Sequence, residues 1–85
     1  DSGNQEAVMN NEVLEKIHAD ELLYFLERLP YGARMVFNLY ALEGYLHKEI
    51  ATKLGISEGT SKSQFNRAKN LLQEMIFKHK SLEIG

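Results

Sequence analysis

Histidine and serine are the residue types in this chain that most often bind metals or carry out catalysis, but their spacing favours neither role. His18, His47 and His79 lie far apart, and no carboxylate accompanies them at metal-ligand spacing. Ser61 and Ser63 have no companion base and no glycine-flanked elbow of the kind that activates a serine nucleophile. We therefore expect no metal site, no cofactor and no enzymatic activity.

The side chains after Ser57 have the chemistry of nucleic-acid recognition. In a helix that turns about 100° per residue, they divide into a buried stripe and an exposed polar face. The polar face is small, amide or cationic, and contains no acid until Glu74. Arginine and lysine pair with guanine edges, asparagine pairs with adenine, and hydroxyls bind base edges or phosphates. The stripe is Ser61, Phe65, Ala68 and Leu72, and the face is Gly59, Ser63, Asn66, Arg67 and Asn70, with Thr60, Lys62 and Lys69 at its margins.

The residues just before this helix favour a helix-turn-helix, in which two helices cross through a turn of about three or four residues. Ala51 is small where the helices must approach, Gly55 can take the positive φ of a tight turn, and Ile56 can fill the angle between them. Ile50 and Leu54 are then expected to face the core. In such a motif the exposed N-terminal half of the second helix usually contacts the bases.

The rest of the sequence predicts helices that support this motif. Helical spacing begins at Val13 and continues as an amphipathic stripe from Leu22 to Leu29. Pro30 ends that helix, because the residue before a proline is pushed out of the helical region. Further helices are expected from about Ala33 to Leu42, from Leu46 to Leu54 and from an N-cap at Ser57 to about His79. Gly44 is expected to be left-handed. The aromatic residues expected in the core are Tyr24, Phe25, Phe37 and Tyr40.

Since no strand pattern occurs, the predicted fold is all-α, a small bundle of four to five helices that contains the helix-turn-helix. Eighty-five residues allow one domain, which we place at residues 12–79. Residues 1–11 are polar and aperiodic, and the chain does not begin with methionine. We expect them to be a linker from a truncated upstream domain, and residues 80–85 to be a C-terminal tail.

Charge is divided unevenly along the chain, although the net charge is only −2. Residues 1–43 carry three basic residues against eight acidic ones, whereas residues 44–85 carry seven basic residues against four acidic ones. This asymmetry fits a second half that faces a polyanion, and it fits an unevenly charged solvated surface equally well. Cysteine is absent, and no apolar run has the length of a membrane span, so we expect a cytoplasmic protein.

About residues 20–77 resemble region 4 of the sigma-70 family, and most of all its extracytoplasmic-function group. The resemblance implies a bacterial domain that binds the promoter −35 element through its last helix and docks on the flap of the RNA polymerase β subunit. It also implies that an anti-sigma factor often masks the domain. A monomer is the simpler expectation. The shared segments are Leu26-Glu-Arg-Leu-Pro30, Arg34-Met-Val-Phe37, Glu43-Gly-Tyr-Leu-His-Lys-Glu-Ile-Ala51, Leu54-Gly-Ile-Ser-Glu-Gly-Thr-Ser-Lys-Ser63 and Arg67-Ala-Lys69.

By position, the resemblance implies that five residues line the DNA interface and that Lys48 contacts phosphate. The five are Ser57, Thr60, Lys62, Ser63 and Arg67, and Asn66 joins them as a neighbour on the polar face. The family usually has an aliphatic residue where Ser61 stands, so packing there is expected to be slightly loose. Basic residues are common where Gln64 and Asn70 stand, so this polar face is expected to be less cationic than its relatives.

Two other functions are compatible with the same pattern. The output domain of a response regulator has a similar helical arrangement, but Leu29-Pro30 and Glu43-Gly44-Tyr45 favour the sigma assignment. A helix-turn-helix that serves only as a protein-interaction module is the second alternative, and the negative net charge is its best support.

Overall fold

The computed structural model describes residues 18–84, with side chains through Lys80, and in that range the fold is all-α. Helix α1 spans Ala19–Leu26 and α2 spans Tyr31–Phe37, which continues without a break into a π-helical turn at Asn38–Leu42. Helix α3 spans His47–Leu54, and α4 spans Glu58–Ile84. The expected helical start at Val13 and the expected linker at residues 1–11 lie outside the described residues.

Two acidic residues stabilise the start of α1. Asp20 and Glu21 occupy its first turn, where carboxylates interact favourably with the helix dipole. Glu21 Oε1 also accepts a hydrogen bond from the backbone amide of His18 at 3.2 Å. The regular helix ends at Leu26, before the expected end at Leu29, and a turn leads the chain to Pro30.

Pro30 separates α1 from α2 and is the N-cap of α2. Its carbonyl accepts the backbone amide of Arg34 at 2.9 Å, so α2 starts at Tyr31 and not near Ala33 as the sequence predicted. Proline is tolerated at this position because the backbone amides at a helix start have no intrahelical partner, so the missing amide of proline costs no hydrogen bond. At the other end of this segment Gly44 has a φ of 79°, the left-handed conformation expected there.

The core lies between α4 and the three helices before it, because α1, α2 and α3 all pack on α4. Leu72 and Ile76 of α4 are buried against Phe25 of α1 and Phe37 of α2, as members of one apolar cluster. The small Ala33 and Ala68 are fully buried in the same cluster, which lets the helices approach closely. The predicted stripe of α4 is therefore the side that the core covers.

Two of the four aromatic residues expected in the core lie at the surface instead. Phe25 and Phe37 are buried, but the side chains of Tyr24 and Tyr40 are 52% and 38% exposed. The guanidinium of Arg28 lies 3.7 Å from the centre of the Tyr24 ring and covers one of its faces. Helical spacing predicted both tyrosines as core residues, but their phenol groups allow them to remain in contact with water.

Helix α4 is longer than the sequence predicted. It continues to Ile84, whereas an end near His79 and a tail at residues 80–85 were expected. No glycine or proline occurs between Gly59 and Gly85, so nothing in the sequence interrupts the helix earlier. Within residues 18–84, no helix combines the length and apolarity that are needed to cross a bilayer.

Candidate nucleic-acid interface

The turn between α3 and α4 has the geometry of a helix C-terminal cap. Gly55 has a φ of 68°, and the backbone amide of Ile56 donates to the carbonyl of Ala51 at 3.0 Å. This hydrogen bond is the 6→1 bond of a Schellman motif, whose central residue is usually glycine. Ile50 is fully buried, and Ala51 and Ile56 are half-buried beside the turn. Two helices thus meet through a short, well-defined turn, as a helix-turn-helix requires.

Ser57 caps the N-terminus of α4. Its Oγ accepts the backbone amide of Thr60 at 2.9 Å, and its hydroxyl donates to Thr60 Oγ1 at 2.8 Å. Ser63 Oγ donates to the carbonyl of Thr60 at 3.1 Å. These bonds place three exposed hydroxyls along the first turns of the helix, beside backbone amides that can bind an anion.

The charged and amide side chains of α4 stand next to these hydroxyls. The exposed side chains of the predicted face that could contact DNA are Thr60, Lys62, Ser63, Asn66 and Arg67, and we keep the name polar face of α4 for these five. Lys62 lies 3.9 Å from Glu58, an exposed pair one turn apart. Arg67 has no ion-pair partner among residues 18–80. The guanidinium is therefore available to bind an anion or a base edge.

Lys48 lies on the other helix of the motif. It is exposed in the first turn of α3, next to His47. Of the seven residues predicted to contact DNA, the structure therefore places one on α3 and the other six at the N-cap and in the first turns of α4. All seven are exposed.

Two residues that the sequence analysis connected with the polar face lie elsewhere. Lys69 was placed at the margin of the face, but it is only 7% exposed and its ammonium lies 5.0 Å from the centre of the Phe65 ring. Lysine can do this because its long stem packs on apolar surface. Gln64 is half-buried, and its Nε2 lies 3.0 Å from the position that a Cβ on Gly32 would occupy. Glutamine at this position therefore packs toward α2, and it does not by itself make the polar face less cationic.

A buried polar contact behind the polar face was missed by the sequence analysis. Ser61 is fully buried, and its Oγ lies 2.8 Å from Nδ1 of His47. The His47 ring stacks on Tyr40 at 4.3 Å between ring centres and 11° between planes. Burial lowers the pKa of His47, and the cation of Lys62 lowers it further. The only signal in the sequence was a serine in an otherwise apolar stripe, and that serine was expected to pack loosely.

The arrangement defines a class of protein. A tight, glycine-capped turn joins two helices, and the second helix buries one side and exposes hydroxyl, amide and cationic groups on the other. This is the geometry with which helix-turn-helix domains present a helix to DNA.

A comparison with protein families identifies this class more closely. Residues 19–72 match the family described as "Sigma-70, region 4", which covers all of α1, α2, α3 and the N-terminal half of α4. The chain belongs to this family and is a DNA-binding domain of a sigma factor, the component that directs bacterial RNA polymerase to promoters. Neither a curated protein nor a solved structure matches the chain.

Proposed function

We propose that this domain recognises the −35 element of promoters, with α4 in the major groove, as part of an extracytoplasmic-function sigma factor. The observation that carries the proposal is the polar face of α4. Its cation Arg67 has no partner among the described side chains, while the opposite side of the helix is buried. A helix fixed in this way can insert only its polar face into DNA.

Each residue type on the polar face suits one part of such an interface. Arg67 and Asn66 can reach base edges, where arginine favours guanine and asparagine favours adenine. Ser57, Thr60 and Ser63 can bind phosphate oxygens or base edges near the start of α4. Lys48 on α3 can contact the phosphate backbone, which positions the domain without reading sequence.

The small number of cations has a consequence for affinity. Among the residues proposed to contact DNA, the cations are Lys48, Lys62 and Arg67, and all three are exposed. Few phosphate contacts give weak binding, so the isolated domain is expected to bind DNA only weakly. Useful promoter affinity then comes from tethering to polymerase, which raises the effective concentration of the domain at the promoter. Sub-micromolar specific binding by this chain alone would contradict this part of the proposal.

The proposed partners beyond DNA are the flap of the polymerase β subunit and an anti-sigma factor. Family membership is the main support for both. Leu42 and Leu46, which are 54% and 63% exposed, supply apolar surface of the kind that protein partners cover. The domain is proposed to act as a monomer in the bacterial cytoplasm.

Transcription by reconstituted holoenzyme tests the proposal. The full-length parent protein is combined with core RNA polymerase, and transcripts made from fragmented genomic DNA of the source bacterium are mapped at their 5′ ends. The expected result is a set of start sites that share an upstream element near −35. Arg67→Glu should abolish these transcripts, since it places a negative charge against the DNA backbone.

Lys78→Glu is the matched control. It makes the same charge change on the same side of α4, about three turns or about 16 Å further along the helix and outside the proposed groove. Transcripts that survive in Lys78→Glu and disappear in Arg67→Glu support the proposal. If the parent protein gives no transcript with a core polymerase that a second sigma factor activates, the proposal is wrong. The response-regulator and interaction-module assignments then gain weight.

A further inference from the structure

The contact between His47 and Ser61 joins the two helices of the motif directly. His47 is the first residue of α3, and Ser61 lies in the first turn of α4. We propose that this pair is a positioning device that holds the start of α3, and with it Lys48, in a fixed relation to the polar face of α4. The inference rests on the proposed function, because its purpose is to align the phosphate contact with the base contacts.

The pair has the geometry of a specific bond and not of accidental proximity. Nδ1 of His47 and Oγ of Ser61 are 2.8 Å apart, and Ser61 is fully buried. A buried hydroxyl must find a partner, since leaving it unpaired costs stability. An aliphatic side chain at this position would also fill the space between α3 and α4. Apolar packing has no preferred direction, however, whereas a hydrogen bond fixes both the distance and the angle between its partners.

Two aromatic rings hold the imidazole in the orientation that this bond needs. Tyr40, in the π-helical turn that follows α2, stacks on His47 at 4.3 Å. The ring of Phe65 meets the same imidazole edge-on, with centres 5.7 Å apart and planes at 65°. Phe65 lies one turn after Ser61 on α4. The imidazole is therefore held by α4 at two points and by the π-helical turn at a third.

The consequence for DNA follows from the neighbour of His47 in sequence. Lys48 shares the first turn of α3, so any shift of His47 along α4 also moves Lys48. Of the proposed contacts, Lys48 is the one that does not belong to α4 or its N-cap. If α3 shifts relative to α4, Lys48 and the polar face no longer reach phosphate and base edges in the same docking position, so the two kinds of contact compete.

Variants of the pair test the inference in the holoenzyme. Ser61→Ala removes the hydroxyl with little change in volume, and His47→Phe keeps a stacking ring but removes Nδ1. His47→Asn is the conservative variant, since its amide oxygen can take the place of Nδ1. The measurement is the affinity of holoenzyme for a promoter fragment and for DNA without a promoter, at a temperature where thermal melting shows that every variant is folded.

We expect Ser61→Ala and His47→Phe each to lower promoter affinity about five-fold, the effect of one lost hydrogen bond. The double variant should lose no more than either single variant, since both remove the same bond. Affinity for DNA without a promoter should stay unchanged, because the cations are the same. His47→Asn should recover part of the promoter affinity, because it restores the hydrogen bond but not the stacking of the ring.

The outcomes separate this inference from the proposed function. A wild-type holoenzyme that finds no promoter contradicts the proposed function, and the inference falls with it. If Ser61→Ala and His47→Phe bind promoters as tightly as the wild-type holoenzyme does, the inference is wrong and the proposed function is unaffected. The inference is also overturned if the two losses add in the double variant, or if the variants melt earlier and still bind promoters with wild-type affinity, which would show a purely structural contact.

Discussion

The backbone amide of Ile56 donates to the carbonyl of Ala51 at 3.0 Å, and the chain can make this bond only because Gly55 between them has a φ of 68°. A Cβ at Gly55 would meet no atom within 4 Å, so any cost of substitution there comes from the backbone and not from a clash. The conformation of this one residue therefore controls the angle at which α4 leaves α3.

Gly55→Val should lower the free energy of unfolding by about 1–2 kcal/mol or more, since a left-handed conformation is unfavourable for residues with a Cβ and worst for β-branched ones. Gly55→Asn is the control, because asparagine tolerates this conformation better than valine does. Urea denaturation measures both. Equal stabilities for the two variants would show that the turn does not require the conformation of Gly55.

Ser57 allows helix capping and DNA binding to be measured separately. Asparagine and aspartate both cap helices as well as serine does, so Ser57→Asn and Ser57→Asp should melt near the wild-type temperature. Ser57→Ala removes the bond to Thr60 and should cost about 1 kcal/mol. Only Ser57→Asp adds a negative charge at the proposed DNA surface. Its promoter affinity should fall well below that of Ser57→Asn, and equal affinities would place Ser57 outside the interface.

Glu58 Oε2 lies 3.9 Å from the ammonium of Lys62, and it would compete with DNA phosphate for that ammonium in the proposed interface. Both side chains are exposed, so their pairing stabilises the domain little. Glu58→Gln should therefore raise promoter affinity, by about two- to five-fold, because it removes a competing negative charge near phosphate. It should change the melting temperature only slightly. Binding isotherms at matched salt concentration test this, and a loss of affinity would show that Glu58 itself contacts the DNA or its partner.

Lys62 and Lys69 make a matched pair, because both are lysines of α4 but only Lys62 is exposed. Lys62→Met should weaken binding to every DNA sequence and reduce the slope of log affinity against log salt by about 1. Lys69→Met should keep the packing on Phe65 and leave both quantities unchanged, because the Lys69 ammonium already lies against that ring. If Lys69→Met weakens DNA binding and Lys62→Met does not, Lys69 and not Lys62 contacts the DNA.

Protonation of His47 should make the free energy of unfolding depend on pH. Its pKa in the folded protein is lowered from 6.5, first by burial and then by Lys62, while Glu58 opposes this shift and Lys69 adds to it. Between the folded pKa and about 6.5 the unfolded chain binds more protons. The stability contributed by His47 is therefore complete above about pH 6.5 and declines as the pH falls through that interval.

Urea denaturation at about pH 7.5 and about pH 5.5 should detect this loss in the wild-type protein. His47→Asn is the control, since it leaves the other titrating groups in place. The wild-type protein should lose more stability on acidification than His47→Asn does. Identical losses would show that His47 does not titrate differently in the folded and unfolded states.

The sequence alone determined the features that depend on neighbours along the chain. Ser57 caps α4, Gly44 and Gly55 have positive φ values, and Pro30 separates two helices, each for reasons of local backbone chemistry. The buried stripe of α4 was also predictable, because the periodicity of a helix fixes which residues share a side. These features, together with the motif from Glu43 to Lys69, were sufficient to predict the all-α fold and the family.

Only the tertiary structure decided which side chains meet across helices. Ser61 and His47 are 14 residues apart in sequence, and their bond depends on how α3 crosses α4, which no periodicity contains. The burial of Lys69 was not predictable either: helical spacing placed it at the margin of the exposed face, but it is only 7% exposed and its ammonium lies 5.0 Å from the ring of Phe65 on the same helix. Tyr24 and Tyr40 have core spacing but remain at the surface, where Tyr24 lies under the guanidinium of Arg28 and Tyr40 stacks on His47. Helical spacing determines the side of a helix on which a residue lies, and packing between helices decides what that side touches.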